Sequence, residues 1–455
     1  MHDFGDLLPL WSVIPFVGIL LSIAIMPLVA PHWWEKHLLK VALFWSFLFL
    51  IPFAIGFGPG AALYKLLHVT LLDYLPFIVL LWGLFAVSGG ILLKGDLVGS
   101  PKVNLLLLAI GTALASWIGT TGASMLLIRP VIRANSWRKS KAHVVIFFIF
   151  LVSNIGGCLT PVGDPPLFLG FLRNVPFFWT MKLLPMFLFN SVLLLFTLFV
   201  IDRRNYRREI AADNLPPATD VKTPLKVEGL HNLIFLAMIV GAVILSGSLA
   251  KLPAFTDPAT GAASGIHIYE GIVVPWTSLI QMGIIIIAGA LSVITTKKRI
   301  REDNQFTWGP IKEVASLFIG IFIAMIPALD ILHDKGAEMG LSQPWQFFWS
   351  TGALSSFLDN APTYLVFLTT AGSLGSEAGV ATSVGLIAPQ LLLAISAGSV
   401  FMGANTYIGN APNFMVRSIA EENGVKMPSF FGYMGWSVMF LIPLFVIDTL
   451  VFFLR

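Results

Sequence analysis

The chain has 455 residues, 56% of them hydrophobic and 11% charged, with a mean hydropathy of +0.85 and a formal net charge of +4. Soluble domains carry about 25% charged residues, so an aqueous enzyme is excluded and an all-α polytopic membrane protein is expected. The single cysteine, Cys158, excludes an internal disulfide and any multi-thiolate metal site.

Apolar runs lie at 8–29, 41–57, 74–93, 177–201, 230–249, 276–295, 314–332 and 433–454. Each approaches the roughly 20 residues that cross a hydrocarbon layer of about 30 Å. The first follows MHDFGDLL, which is acidic and has no basic leader, so it reads as a retained helix. Lys and Arg gather on the cytoplasmic side of short loops. They are dense at 36–40, 94–102, 129–141, 203–226 and 297–301, and sparse at the N-terminus, 58–72, 251–275 and 372–383. Alternation from an outside N-terminus works if the segment 103–129 enters and leaves on the inside. A re-entrant hairpin with its tip at Gly119-Thr120-Thr121-Gly122 does this. The segment 345–371 becomes a second hairpin, entering from outside, with its tip at Asp359-Asn360-Ala361-Pro362.

The expected organisation is an inverted-topology repeat with five transmembrane helices and one re-entrant hairpin per half. Residues 1–201 form the first repeat, with hairpin 103–129 and broken helix 143–172. Residues 202–229 form a cytoplasmic linker, and 230–455 the second repeat, with hairpin 345–371 and broken helix 385–420. Both termini then lie outside a cell (inner) membrane.

Two alignments carry the repeat. ASWIGTTGASMLL on SSFLDNAPTYLVF pairs Ser116 with Ser356, Gly119 with Asp359 and Thr120 with Asn360. SNIGGCLTPVGDPPLFL on SVFMGANTYIGNAPNFM pairs Gly157 with Gly403, Thr160 with Thr406, Gly163 with Gly409, Asp164 with Asn410 and Pro166 with Pro412. Paired Gly/Pro-interrupted segments point to a transporter binding site. Prolines and glycines free backbone groups at membrane depth, where they are tolerated only inside protein or along a wet cavity.

On GTTGASMLLIRP, SNIGGCLTPVGDPP, FLDNAPTYLV and GANTYIGNAPNFMV the chain resembles the ion transporter superfamily. The branch is that of NhaD-type sodium/proton antiporters and arsenite-pump-like proteins, whose relatives include sodium:proton antiporters and citrate transporters. The resemblance implies a homodimer, with a scaffold part and a moving transport part in each protomer. It also implies an ion site at the two hairpin tips and the two helix breaks. Dicarboxylate-carrying relatives place Ser-Asn-Thr at both tips; Gly119-Thr120-Thr121 and Asp359-Asn360-Ala361 depart from that pattern.

Two carboxylates, Asp164 and Asp359, fall in this site with no Lys or Arg in the four motif cores. An intramembrane charge costs about 2.5–3.5 kcal/mol on insertion scales, so such groups need a proton, a cation or both. Na⁺ ligands are expected from Asp359, Asn360, Asn154, Asn405 and Asp164, with Thr120, Thr121, Thr160, Thr406 and Asn410 completing the site. Burial and a neighbouring like charge both favour the neutral form of a carboxyl group. Proton and cation then compete for one place, which suffices for antiport.

Simpler roles stand beside these. Asp359 can cap a hairpin helix, and Asp164 can cap the half-helix beginning at Pro165-Pro166. The asparagines can be ordinary inter-helix bonds, and Asn413 reads as structural. Asp448 reads as an outer-boundary residue needing no functional role, and the Asp330, His333 and Asp334 cluster as a solvated loop. The leading expectation is secondary Na⁺ or Li⁺/proton antiport. The alternative is a citrate- or dicarboxylate-type organic anion transporter, and arsenite efflux is less favoured. Partners are the bilayer, a small cation, the proton and a second copy of the chain. No nucleic acid, enzymatic activity or resident cofactor is expected.

Overall fold

A computed structural model describes residues 4–95, 97–216, 224, 226–257 and 262–454. The first half opens with α1 (Ile14–Val29), α2 (Pro31–Phe57) and α3 (Pro59–His68), which runs through a π turn, Val69–Tyr74, into α4 (Leu75–Ser88). Then come α5 (Pro101–Ile118), α6 (Thr120–Ala134), α7 (Ala142–Leu151), α8 (Pro165–Leu172) and α9 (Leu184–Ala211). The second half holds α10 (Asn232–Leu249), α11 (Trp276–Thr295), α12 (Lys298–Asp303), α13 (Gly309–Ala324) and α14 (Ile326–Lys335). It continues with α15 (Pro344–Phe357), α16 (Asn360–Gly372), α17 (Pro389–Met402), α18 (Ala411–Glu422) and α19 (Phe430–Asp448).

Among the described residues eight helices are long and apolar enough to cross a membrane, or nine with the bent pair α13–α14 counted as one span. The protein is a multi-pass membrane protein. The run expected at 314–332 is broken at Met325 by 43°, where Pro327 in the first turn of α14 removes a backbone donor. Helix α9 continues to Ala211, into the stretch assigned to the linker.

The fold is not purely helical. β1 (Leu92–Lys94) pairs antiparallel with β2 (Lys226–Glu228), placing Leu93 opposite Val227. That pairing ties the segment between the halves to the loop after α4. Two more ribbons join β3 (Gly265–Tyr269) to β4 (Ile272–Pro275) and β5 (Val380–Thr382) to β6 (Gly385–Ile387).

The helices pack in two groups. α2 packs against α1 and α13, and α11 against α10 and α4. The second group joins α5 to α6 and α9, α15 to α17, α16 to α8, and α18 to α6. Outer faces keep large apolar side chains exposed, such as Leu188, Val192 and Phe196 on α9, as a lipid-facing surface requires. The second group brings the four sequence motifs together.

Candidate functional site

Each half contains one helix–turn–helix and one interrupted helix. The first turn is Gly119, whose φ of +80° suits a residue without Cβ. The second turns without glycine: Leu358 is extended, and the Asp359 carboxylate accepts the Ala361 N–H at 3.0 Å, capping α16. The half-helices after the two interruptions start alike. α8 begins after Asp164 at φ −144°, ψ 142°, and α18 after Asn410 at φ −153°, ψ 141°. Pro165, Pro166 and Pro412 sit where a helix start needs no donor, and proline pushes the residue before it out of the helical region. Each break also folds back closely on itself. A Cβ on Gly163 would stand 2.2 Å from the Gly157 carbonyl oxygen, and one on Gly409 2.5 Å from that of Gly403.

Neither Asp164 nor Asn410 caps its own helix with its side chain. They turn toward each other instead. Asp164 Oδ1 accepts from Asn410 Nδ2 at 3.1 Å and from Thr120 Oγ1 at 2.8 Å, and Oδ2 accepts from Asn360 Nδ2 at 2.6 Å. Asp164 is buried, and every one of these donors is neutral. Thr120 and Asn360 are the first residues of α6 and α16, while Asp164 and Asn410 precede α8 and α18. Four helix N-termini therefore meet at one carboxylate, and their partial positive charge favours an anion there.

A chain of amides runs from this group. Asn154 Oδ1 accepts from Asn410 Nδ2 at 3.3 Å, and Asn154 Nδ2 donates to Asn413 Oδ1 at 2.7 Å. Asn413 Nδ2 in turn donates to the carbonyls of Gly403 and Thr406 at 2.8 and 2.9 Å, a structural hub. The hydroxyls of Thr160 and Thr406 donate to the carbonyls of Ser116 and Ser356, binding each break to its own hairpin. Asn405 Nδ2 donates to Ser356 Oγ at 2.9 Å. The buried oxygens Asn360 Oδ1 and Asn405 Oδ1 have no hydrogen-bond partner among the described residues. Both can accept a cation or a hydroxyl donor.

A protein-family profile described as "Putative citrate transport" matches residues 5–453. The chain belongs to that family. No curated protein matches the chain. Membership supports the ion transporter superfamily inferred from the motifs, and the description names citrate; the NhaD-type branch gains no specific support from it.

Within this member of the family the structure gathers Asp164, Thr120, Asn360, Asn410 and Asn154 into one bonded cluster. It sets Thr160, Thr406 and Asn405 beside it as braces of the hairpins. Half-buried Thr121 makes none of the described hydrogen bonds of the cluster, and Asp359 caps α16 next to it. Ser116 and Ser356 were not among the candidates, although the hairpin alignment pairs them. Ser116 Oγ donates to Gly156 O at 2.5 Å and Ser356 Oγ to Met402 O at 3.1 Å, the same bond in both halves.

Two outlying expectations change. Asp448 is fully buried and bonded to Asn190, because its side of α19 faces α9 and not lipid or water. Asp330 is held by Lys65 Nζ at 2.6 Å. With His333 and Asp334, both exposed, it lies in α14 and not in a loop.

Proposed function

We propose that the chain is a secondary transporter of a citrate-type polycarboxylate, with protons or small cations at Asp164 balancing the charge of the cargo. The observation that carries this reading is the family match across residues 5–453. The geometry supplies a route. Asp164 occupies the place where four helix N-termini would otherwise receive a carboxylate, and it engages Thr120, Asn360 and Asn410. A proton or cation on Asp164 weakens its hold on those donors and releases them for a cargo carboxylate. Cargo and counter-charge are then obliged to arrive together.

In this reading the two halves are inverted repeats, α5–α6 and α15–α16 are re-entrant hairpins, and 202–229 lies in the cytoplasm between them. Both termini are outside an inner membrane, and two copies pair through scaffold helices. A second reading, Na⁺ or Li⁺/proton exchange at Asp164 and Asp359 without organic cargo, is favoured by one observation. Asp164 has only neutral donors, and Asn360 Oδ1 in its cluster and Asn405 Oδ1 beside it are buried with no hydrogen-bond partner among the described residues.

Uptake of radiolabelled citrate into proteoliposomes separates the two, with a pH gradient or a Na⁺ gradient imposed in turn. The first reading expects gradient-dependent citrate accumulation that Asp164→Leu abolishes. Na⁺ or Li⁺ collapsing a pH gradient with no citrate uptake would replace it with the second.

A further inference from the structure

A second buried polar pair lies outside the Asp164 cluster, between the last helices of the two halves. Asn190 Nδ2 on α9 donates to Asp448 Oδ2 on α19 at 2.8 Å, and both side chains are fully buried. The other oxygen of each, Asn190 Oδ1 and Asp448 Oδ1, is buried with no hydrogen-bond partner among the described residues. A buried acceptor left without a donor costs about 1–3 kcal/mol, and here two of them belong to a pair already in contact. An amide edge offers one donor and one acceptor, and so does the edge of a protonated carboxyl group. One proton on Asp448 Oδ1, donated to Asn190 Oδ1, satisfies both oxygens and closes a two-bond ring.

The repeat sharpens the contrast. LFVID recurs at 198–202 and 444–448, at the same spacing that relates Asp164 to Asn410, so Asp202 and Asp448 are equivalent positions. Asp202 is charge-paired: Arg138 Nη1 lies 2.5 Å and His143 Nε2 2.9 Å from its Oδ1, and Asn104 Nδ2 donates to Oδ2 at 2.8 Å. Asp448 has none of this. α15 and the π turn Thr449–Phe453 carry no titratable side chain. On α9 the titratable groups begin at Asp202, and on α19 the only other one, Tyr433, sits near the opposite end. Lys182 precedes α9 by two residues, about two turns from Asn190.

We propose that Asp448 and Asn190 form a proton-binding site separate from Asp164, with the proton on Asp448 shared to the Asn190 carbonyl. A hard cation fits this place poorly. Such ions take about six oxygens, and the pair, with the unbonded Ser191 Oγ nearby in sequence, stands among buried Phe187, Leu194, Leu444 and Phe445. The site does not depend on which cargo is carried.

Infrared spectroscopy of the full chain in proteoliposomes at neutral pH tests it. Wild type minus Asp448→Asn is expected to show a carboxylic-acid C=O band that shifts on exchange into D₂O. Asp448→Asn is expected to keep the wild-type Tm, since an amide–amide ring replaces the acid–amide ring. Asn190→Leu, which leaves Asp448 in place, is expected to retain the acid band at a shifted frequency, and it decides the matter if Asp448→Asn does not fold. A carboxylate band lost in place of an acid band overturns the proposal. So does a Tm that rises with Na⁺ in wild type and not in Asp448→Asn.

Discussion

Asn410 donates to Asp164 across 3.1 Å, and the two residues hold the same place in two stretches that align in sequence, TPVGDPP and TYIGNAP. The two stretches thus meet at the carboxylate at the centre of the site.

This pairing makes an exchange experiment informative. Asp164→Asn turns an NH₂ toward donors on Thr120, Asn360 and Asn410, leaving at least one donor unmatched at about 1–3 kcal/mol. Transport in proteoliposomes is expected to fall about tenfold or more. Asp164→Asn combined with Asn410→Asp returns one carboxylate to the same contact and should recover part of the loss. A double variant no better than the single one would mean that the carboxylate is needed on α8's side of the contact.

The two breaks can be probed by their glycines. Gly163→Ala and Gly409→Ala drive a Cβ to 2.2 and 2.5 Å from carbonyl oxygens of Gly157 and Gly403. Overpacking of this kind costs about 1–3 kcal/mol, so both variants should lower Tm and the yield of folded protein. Gly241→Ala, with nothing within 4 Å of the added atom, serves as the neutral control.

Arg173, just past α8, and Asp73, in the π turn before α4, form a two-bond ion pair in which Asp73 is buried. Removing one partner strands the other, at about 3–5 kcal/mol for a buried pair. Asp73→Asn is expected to lower Tm strongly, and Asp73→Leu with Arg173→Met to recover much of it. Thermal unfolding in detergent checks both.

At the end of β1, Lys94 Nζ stands 2.5 Å from Asp303 Oδ2 on α12. The Lys94 hydrogen bond holds the Asp303 carboxyl below its ordinary range, with the charges of Lys94 and Arg299 adding to the effect. A depressed folded-state value means that the contribution is present above the unfolded value and lost as pH falls through the folded one. Asp303→Asn should therefore be slightly less stable than wild type at neutral pH, and the gap should close on acidification. An unchanged gap at acid pH would count against the ion pair.

Much of the site is legible in the sequence because backbone requirements leave residue signatures. TPVGDPP and TYIGNAP read as equivalent, and Asp164 and Asn410 adopt nearly the same φ and ψ. What a linear reading misses is which side chain faces which. Asp359 and Asn360 are both polar at a hairpin tip. After the extended Leu358, Asp359 turns its carboxylate onto the Ala361 N–H, and Asn360 reaches Asp164. Asp448 escapes for another reason: hydropathy does not separate the lipid side of an apolar helix from its protein side. The recurrence of LFVID is in the sequence, but it lies outside the Gly/Pro breaks on which the repeat was aligned.

The grip on Asp164 also has a mechanical consequence. One hairpin holds one oxygen through Thr120, and the other hairpin holds the second through Asn360. A rivet of this kind passes through both plates: neither tip slides by a bond length without shearing it. In the proposed transport cycle, hairpins and breaks are then expected to move as a single carriage, with the slip plane at its edge, along seams such as the one Arg173 and Asp73 span. Cross-linking that seam would arrest the carriage, whereas cross-linking one hairpin tip to the other would leave its travel free.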